Sequence, residues 1–234
     1  MLGWTYPVML AVLLLLAGRV YYLAPAYPML LAGGAVWLEG RRALQQRAWL
    51  KSAYVALMIV GGGVLAPFAL PVLPPETYVW YAKTLHFEPP KIETHKMGPL
   101  PQLFADQFGW EEMAADVARV YHALPPEQRQ KAAIFGNTYG QAGAIDLFGP
   151  KYGLPKAIST HQNYFYWGPR QYTGELMIVL GDTVEGLSDN CQGVEVAGWH
   201  SHPYSMPYNH FPILICRQLK EPVAEAWPKS KKWN

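Results

Sequence analysis

The feature that most constrains the fold is the uneven distribution of charge along the chain. Residues 1–75 carry five basic side chains and one acidic side chain, whereas the other fourteen Lys and Arg and sixteen Asp and Glu fall in residues 76–234. The mean hydropathy of −0.01 therefore averages an apolar segment suited to lipid and a segment of ordinary polarity. This division excludes a purely soluble enzyme, a disordered chain and a nucleic-acid-binding protein with a basic face.

The apolar segment contains three uncharged runs, at residues 4–17, 20–38 and 52–75. A transmembrane helix needs about 20 residues, so the third run is long enough, the second is marginal and the first is short. We expect residues 1–75 to form about three transmembrane helices, at about 4–18, 22–38 and 52–73. The alternative is a signal peptide, because the sequence at Ala24 and Ala26 offers a small-residue cleavage site.

The loop before the third run is basic. Its sequence is EGRRALQQRAWLK, with four Lys or Arg and one Glu. Positively charged loops stay in the cytoplasm, so the chain that leaves the third run emerges on the other side. We therefore expect a multi-pass protein of the bacterial inner membrane, with a linker at residues 76–101 and an extracytoplasmic domain at 102–234.

Helical and strand patterns alternate in this outer part of the chain. An apolar stripe with acids in the first turn predicts a helix at residues 111–123, and a second helical pattern covers 139–148. Short apolar runs predict five strands, at 132–135, 156–159, 176–180, 193–197 and 213–216. This order is typical of an α/β domain with a partly parallel sheet.

A polar and aromatic run follows the second predicted strand. Its sequence, STHQNYFYWGP, combines the amide, imidazole and ring groups that hydrogen-bond to sugars and stack on them. Loops at the carboxyl ends of strands line the ligand crevice of open α/β sheets. The candidate acceptor- or sugar-binding residues are therefore His161, Asn163, Tyr164 and Trp167. A purely structural aromatic loop fits the same pattern.

The histidines and cysteines give weaker evidence for a metal site and for a disulfide. His200, His202 and His210 could bind a metal, but no acid or cysteine accompanies them at a recognisable spacing, so we assign neither a metal site nor a cofactor to this chain. Cys191 and Cys216 are the only cysteines. They fit either a disulfide, which would contribute about 3 kcal/mol by closing its loop, or a pair of buried thiols.

A cation and two tyrosines lie between the first two apolar runs, at Arg19, Tyr21 and Tyr22. Pro25 and Pro28 follow them and interrupt helical hydrogen bonding. A cation beside tyrosines at the outer membrane surface can hold a lipid phosphate. Interfacial anchoring without further function explains the same residues.

Five features carry a resemblance to a known family: the turn that continues as YYLAPAYPMLLAGGA, the apolar runs, the HQNYFYWGP loop, and the late MPYN and ILICR segments. Together they resemble the C-terminal portion of bacterial glycosyltransferase family 39. This is the dolichyl-phosphate-mannose protein mannosyltransferase-like group of polytopic GT-C enzymes. The resemblance implies transfer of a sugar from a polyprenyl-phosphate carrier to an extracytoplasmic lipid, glycan or protein acceptor. It also implies an acidic residue in the first outer loop that acts as general base or metal ligand.

The resemblance assigns contact with the lipid carrier to Arg19, Tyr21 and Tyr22, while acceptor contact by the aromatic loop is our own inference. The chain departs from the family pattern, because its membrane segment has no Asp or Glu on the expected outer side and Glu39 falls in the basic loop. We therefore expect a C-terminal piece of such an enzyme that is inactive alone and contacts membrane lipids. The alternative is a membrane-anchored periplasmic module that binds a glycan or a partner without catalysis.

Overall fold

The chain forms two compact units, Met1–Leu70 and Pro71–Asn234. The computed structural model describes residues 2–16, 18, 20–41, 48–88 and 96–233. Within its described residues, the first unit contains helices α1 (Leu2–Leu15), α2 (Tyr27–Glu39) and α3 (Ala48–Ala69), with a 3₁₀ segment at Val20–Ala26.

The prediction of about three transmembrane helices is wrong. Among the described residues, only Trp49–Ala69 forms a helix that is long and apolar enough to cross a membrane, judged by its length and its mean hydropathy of 1.8. Helices α1 and α2 have 14 and 13 residues. At 1.5 Å per residue each spans about 20 Å, which is short of a hydrocarbon core of about 30 Å. Pro25 lies in the 3₁₀ segment between them and cannot donate a backbone hydrogen bond.

The second unit begins with helix α4 (Pro75–Thr84), which lies at the start of the predicted linker. Residues 89–95 of that linker lie outside the described residues. The other helices described in this unit are α5 (Gln102–Ala105), α6 (Trp110–Ala123), α7 (Pro126–Lys131), α8 (Tyr139–Phe148), α9 (Val184–Ser188) and α10 (Val223–Lys229). The helices predicted at 111–123 and 139–148 are confirmed as α6 and α8.

A four-stranded mixed sheet forms the centre of the second unit. Its strands are β1 (Ala132–Gly136), β2 (Leu176–Leu180), β3 (Cys191–His200) and β4 (Phe211–Leu219). Their spatial order is β1-β2-β4-β3, with β1 and β2 parallel and β4 antiparallel to both of its neighbours. Among these described strands, one neighbouring pair is parallel and two are antiparallel.

Four of the five strand predictions are confirmed, and the one at residues 156–159 is wrong. Within the described residues this segment forms a single bridge, in which Ile158 pairs with Phe135 of β1. Ile158 makes both backbone bonds of this bridge, donating to the carbonyl of Ile134 and accepting from the N–H of Gly136. The backbone groups of Ala157 face away from β1, where its N–H donates to Asp146 Oδ1 at 2.7 Å and its carbonyl accepts from Arg170 Nε at 3.0 Å. Side-chain contacts, and not further ladder bonds, therefore hold this segment.

Alternating side chains give the sheet two apolar faces. One face packs against α6 and α8, and it includes Ile134, Ile178 and Ile213. The other face includes Met177, Val179 and Leu214, with Leu187 of α9 buried beside them and Trp227 of α10 packed on the cluster. Both faces of β2 are therefore buried, and polar loops follow the carboxyl ends of β1 and β2.

Cys191 and Cys216 form a disulfide between β3 and β4, with their Cα atoms 5.7 Å apart. The exposed fractions of the two residues are 2% and 0%. Of the two alternatives that the sequence left open, the structure contains the disulfide, on the face of the sheet that packs against α10.

Candidate functional site

The parallel strands β1 and β2 end at the same edge of the sheet. Asn137 follows β1, and its side-chain Nδ2 donates to the carbonyl of Gly181, which follows β2, at 2.8 Å. Its Oδ1 accepts from Nζ of Lys232 at 2.6 Å. One asparagine therefore ties both strand ends to the C-terminal tail of the chain.

His161 lies at this edge, beside the first turn of α8. Its Nδ1 accepts from the N–H of Tyr139 at 3.1 Å, and the two rings lie 5.1 Å apart. Burial and the nearby charge of Lys232 lower the pKa of His161. Because Nδ1 accepts, the neutral ring carries its proton on Nε2, where it can donate to a ligand.

The aromatic loop is a 3₁₀ segment, Gln162–Trp167, and its rings point in different directions. Tyr164 turns inward and its hydroxyl donates to Asp146 Oδ2 at 3.3 Å. Burial and this carboxylate raise the pKa of Tyr164 to about 12. The ring of Trp167 stands at 65° to that of Tyr164, with 4.4 Å between the ring centroids, and 58% of Trp167 is exposed. Trp167 is thus held by a fixed neighbour while it faces solvent.

Asn163 completes the set of loop residues that the sequence predicted. It is exposed, and in the part of the chain that the structure describes its amide makes no hydrogen bond. The structure therefore places His161, Asn163, Tyr164 and Trp167 on one segment. Of these four, Tyr164 is committed to an internal contact, which leaves the other three with surfaces that a ligand can reach.

The carboxylate of Asp146 fixes the position of the aromatic loop. Besides Tyr164 and the Ala157 N–H, its carboxylate faces the guanidinium of Arg170 at 3.6 Å. Arg170 Nε in turn donates to the Ala157 carbonyl at 3.0 Å. Since both oxygens of Asp146 already have partners, this carboxylate stabilises the loop and is not arranged as a general base.

The C-terminal tail adds a cation, Lys231, and an exposed ring, Trp233, beside the exposed Tyr166 of the loop, and none of these three was predicted to belong to the site. Nζ of Lys231 donates to the Tyr166 hydroxyl at 2.6 Å and lies 4.3 Å from the centroid of that ring. It also lies 4.5 Å from the centroid of the Trp233 ring. Two backbone bonds hold the tail beside the loop: the N–H of Lys232 donates to the carbonyl of Thr160, and the N–H of Gln162 donates to the carbonyl of Lys232. The alternation of tryptophan and lysine in WPKSKKWN was the available signal.

The predicted lipid-carrier residues belong to the first unit. Arg19 lies outside the described residues, and so does the side chain of Tyr21. Tyr22 lies in the 3₁₀ segment and is 55% exposed. Their contact with a carrier phosphate stays a prediction.

The three late histidines take separate partners. His200 is 1% exposed, and its Nδ1 lies 2.7 Å from Oδ2 of Asp116. The ring of His202 stacks on Phe108, while Nε2 of His210 donates to the His202 carbonyl at 2.9 Å. Among the described residues there is no group of three His, Cys, Asp or Glu that could hold a metal ion.

The chain matches no protein-family model, no curated protein and no solved structure. A proposal for its function therefore depends on the side chains at the edge of the sheet, on the apolar helix α3 and on the disulfide.

Proposed function

We propose that this chain is the sugar-binding, membrane-anchored part of a glycosyltransferase that moves a sugar from a polyprenyl-phosphate carrier to an acceptor outside the cytoplasm. The observation that carries the proposal is the presentation of Trp167, an exposed ring held in place by Tyr164. The apolar face of a sugar ring stacks on such a side chain, and the rigid support lowers the entropy lost on binding.

Polar groups on the same segment as Trp167 match the hydroxyl groups of a sugar. The amide of Asn163 offers two donors and one acceptor, and Nε2 of neutral His161 offers a further donor. Sugar sites combine an aromatic surface with a few directed polar groups in this way. The loop therefore supports binding of an uncharged or weakly charged hexose or pentose.

Lys231 extends the site toward an anion. Its ammonium group lies over Tyr166 and beside Trp233, whose exposed fractions are 63% and 56%. A lysine acts as a point charge for phosphate. This cation fits the phosphate that links a sugar to its lipid carrier.

Two independent observations support an extracytoplasmic position for the domain. The basic sequence before Trp49–Ala69 favours a cytoplasmic start for that span and an outer position for everything after it. The Cys191–Cys216 disulfide favours an oxidising compartment. Neither observation depends on the aromatic loop.

A binding module without catalysis is the second candidate, and the engagement of Asp146 favours it. The carboxylate beneath the loop contacts Tyr164, Ala157 and Arg170, so its oxygens are engaged in holding the loop. In both proposals the loop recognises a sugar. They differ in whether transfer of the sugar requires this chain.

The test is a binding titration with the full chain in detergent and a panel of polyprenyl-phosphate-linked hexoses and pentoses. Trp167→Ala should weaken binding about tenfold, which corresponds to about 1.4 kcal/mol and is the order of a single ring contact. Trp199→Ala is the matched control, because Trp199 is also 58% exposed but lies in β3. Equal affinities for the two variants would contradict sugar binding at the loop.

A further inference from the structure

A cavity of about 340 Å³ lies in the second unit, on the face of the sheet that carries the disulfide. Phe135, Met177 and Val179 of the sheet line it, together with Val223 and Trp227 of α10. The helices on this face, α9 and α10, have only five and seven residues. At 1.5 Å per residue, α10 is about 10 Å long, which is too short to cover a four-stranded sheet. Part of the apolar face therefore lines a cavity.

The side chain of Tyr172 brings a polar group to this cavity. Its hydroxyl oxygen is buried and makes no hydrogen bond to any part of the chain that the structure describes. Burial raises the pKa of Tyr172 above its ordinary value, so the hydroxyl keeps its proton at neutral pH and can donate. Nearly all buried polar groups in proteins are paired, because an unpaired group costs free energy. A ligand with a hydrogen-bond acceptor would pair with this hydroxyl.

The charged side chains that line the cavity balance one another and have partners within the chain. They are Asp182, Glu221, Lys229 and Lys232. Lys229 pairs with Glu221. Lys232 donates to Asn137 Oδ1 at 2.6 Å, and Asp182 accepts from the backbone N–H of the next residue. Because an unpaired charge is costly to bury beside apolar groups, this lining favours an uncharged ligand.

The volume of the cavity sets the size of the ligand. A cavity of about 150 Å³ lined by apolar side chains holds one benzene molecule. The cavity beside α10 is more than twice as large, and it is partly open to solvent. It therefore has room for a molecule of about ten to fifteen carbon atoms.

We propose that this cavity binds an uncharged, mostly apolar small molecule of about ten to fifteen carbon atoms, whose oxygen accepts a hydrogen bond from Tyr172. A hydrocarbon body with a ketone, ester or ether oxygen has this chemistry. Every lining residue belongs to the second unit, and Trp167 is not among them. The proposal does not depend on sugar binding, so a failure of either proposal leaves the other standing.

The test uses two probe molecules of the same shape, 2-acetylnaphthalene and 2-isopropenylnaphthalene. The second has a methylene group in place of the ketone oxygen and cannot accept a hydrogen bond from a hydroxyl. The full chain in detergent is labelled with 5-fluorotryptophan, and fluorine NMR follows the resonance of Trp227, assigned with Trp227→Phe. Trp199 in β3 does not line the cavity, and its resonance reports uptake of the probe by the micelle.

We expect 2-acetylnaphthalene to shift the Trp227 resonance in a saturable way and to leave the Trp199 resonance in place. Tyr172→Phe should lower the preference for the ketone over its isostere about fivefold, the order of one neutral hydrogen bond. Comparing this preference between the native chain and the variant cancels the uptake of each probe by detergent. Tyr172→Phe should not lower the urea midpoint of the ligand-free chain, because it removes a hydroxyl that has no partner there.

Two variants of α10 locate the binding. Ala226 lines the cavity, so Ala226→Phe should fill it and abolish the shift of Trp227. Ala224→Phe is the matched control, because Ala224 is exposed on the same helix and does not line the cavity. The absence of a saturable shift in the native chain would overturn the proposal. An unchanged ketone preference in Tyr172→Phe would also overturn it, as would a lower urea midpoint, since the hydroxyl would then have a partner within the chain.

Discussion

Loss of the Cys191–Cys216 disulfide should destabilise the α/β unit by an amount that follows from the loop it closes. The two cysteines are 25 residues apart in sequence. In the chain-entropy account a loop of this length restricts the unfolded chain by about 3.5 kcal/mol at 25 °C. Alanine is the suitable replacement for both cysteines, because the site is apolar and a serine hydroxyl would lack a partner there. Domains are usually stable by only about 5–15 kcal/mol, so the loss should be easy to measure.

Urea unfolding of the full chain in detergent, followed by near-ultraviolet circular dichroism, measures this loss. The Cys191→Ala/Cys216→Ala variant should unfold at a clearly lower urea concentration than the native chain. A reducing agent should shift the native chain toward the variant and leave the variant unchanged. An unchanged midpoint in both experiments would refute the reasoning.

Three further predictions follow from single contacts. Asp116→Ala leaves the buried His200 ring without its carboxylate partner and should lower the free energy of unfolding by about 1–3 kcal/mol. Arg119→Ala removes the exposed partner of the same carboxylate and should change the urea midpoint little. Gly136→Ala would place a methyl group 2.6 Å from the backbone nitrogen of Ala142 and should cost about 1–3 kcal/mol, while Gly193→Ala, with 3.8 Å to its nearest neighbour, should be tolerated. Acidification should break the bond from the Tyr139 N–H to His161. The folded-state pKa of His161 is lowered. The contribution of this bond to folding stability is therefore present above pH 6.5, the ordinary pKa of histidine, and is lost as the pH falls through the lowered pKa. The amide resonance of Tyr139 reports this change, and a resonance that stays constant down to pH 4 would contradict it.

Local patterns were sufficient for elements whose stability is local. Helix α6 begins with the acidic residues Glu111 and Glu112 and carries an apolar stripe, and α8 begins with a Thr138–Gln141 capping box. Strand β2 has the sequence LMIVL and is buried throughout, as expected for a strand covered on both faces. Both kinds of signal can be read from neighbouring residues alone.

Contacts between distant residues decided the parts that the sequence missed. The segment at residues 156–159 makes one bridge to β1 among the described residues, and the side chains of Asp146 and Arg170, which are distant in sequence, bond the N–H and the carbonyl of Ala157. The predicted number of membrane spans is too high. An uncharged stretch does not ensure a continuous helix, and Pro25 lies in a 3₁₀ segment between two short helices.

The candidate site also combines a feature that the local sequence predicts with contacts that depend on distant residues. The composition of the aromatic loop located it, but the inward turn of Tyr164 depends on Asp146. The place of the tail depends on the pairing of Lys232 with Thr160, across more than seventy residues of sequence. No local pattern could have predicted either contact.

The central claim is that this chain serves sugar transfer from a polyprenyl-phosphate carrier, and the most direct test is the transfer reaction itself. Membranes of the native host would be supplied with a radiolabelled polyprenyl-phosphate sugar, with the chain intact, deleted, or carrying Trp167→Ala or Trp199→Ala. The account predicts that deletion abolishes incorporation into acceptor, that Trp167→Ala reduces it, and that Trp199→Ala leaves it intact. Equal incorporation with and without the chain would contradict the account.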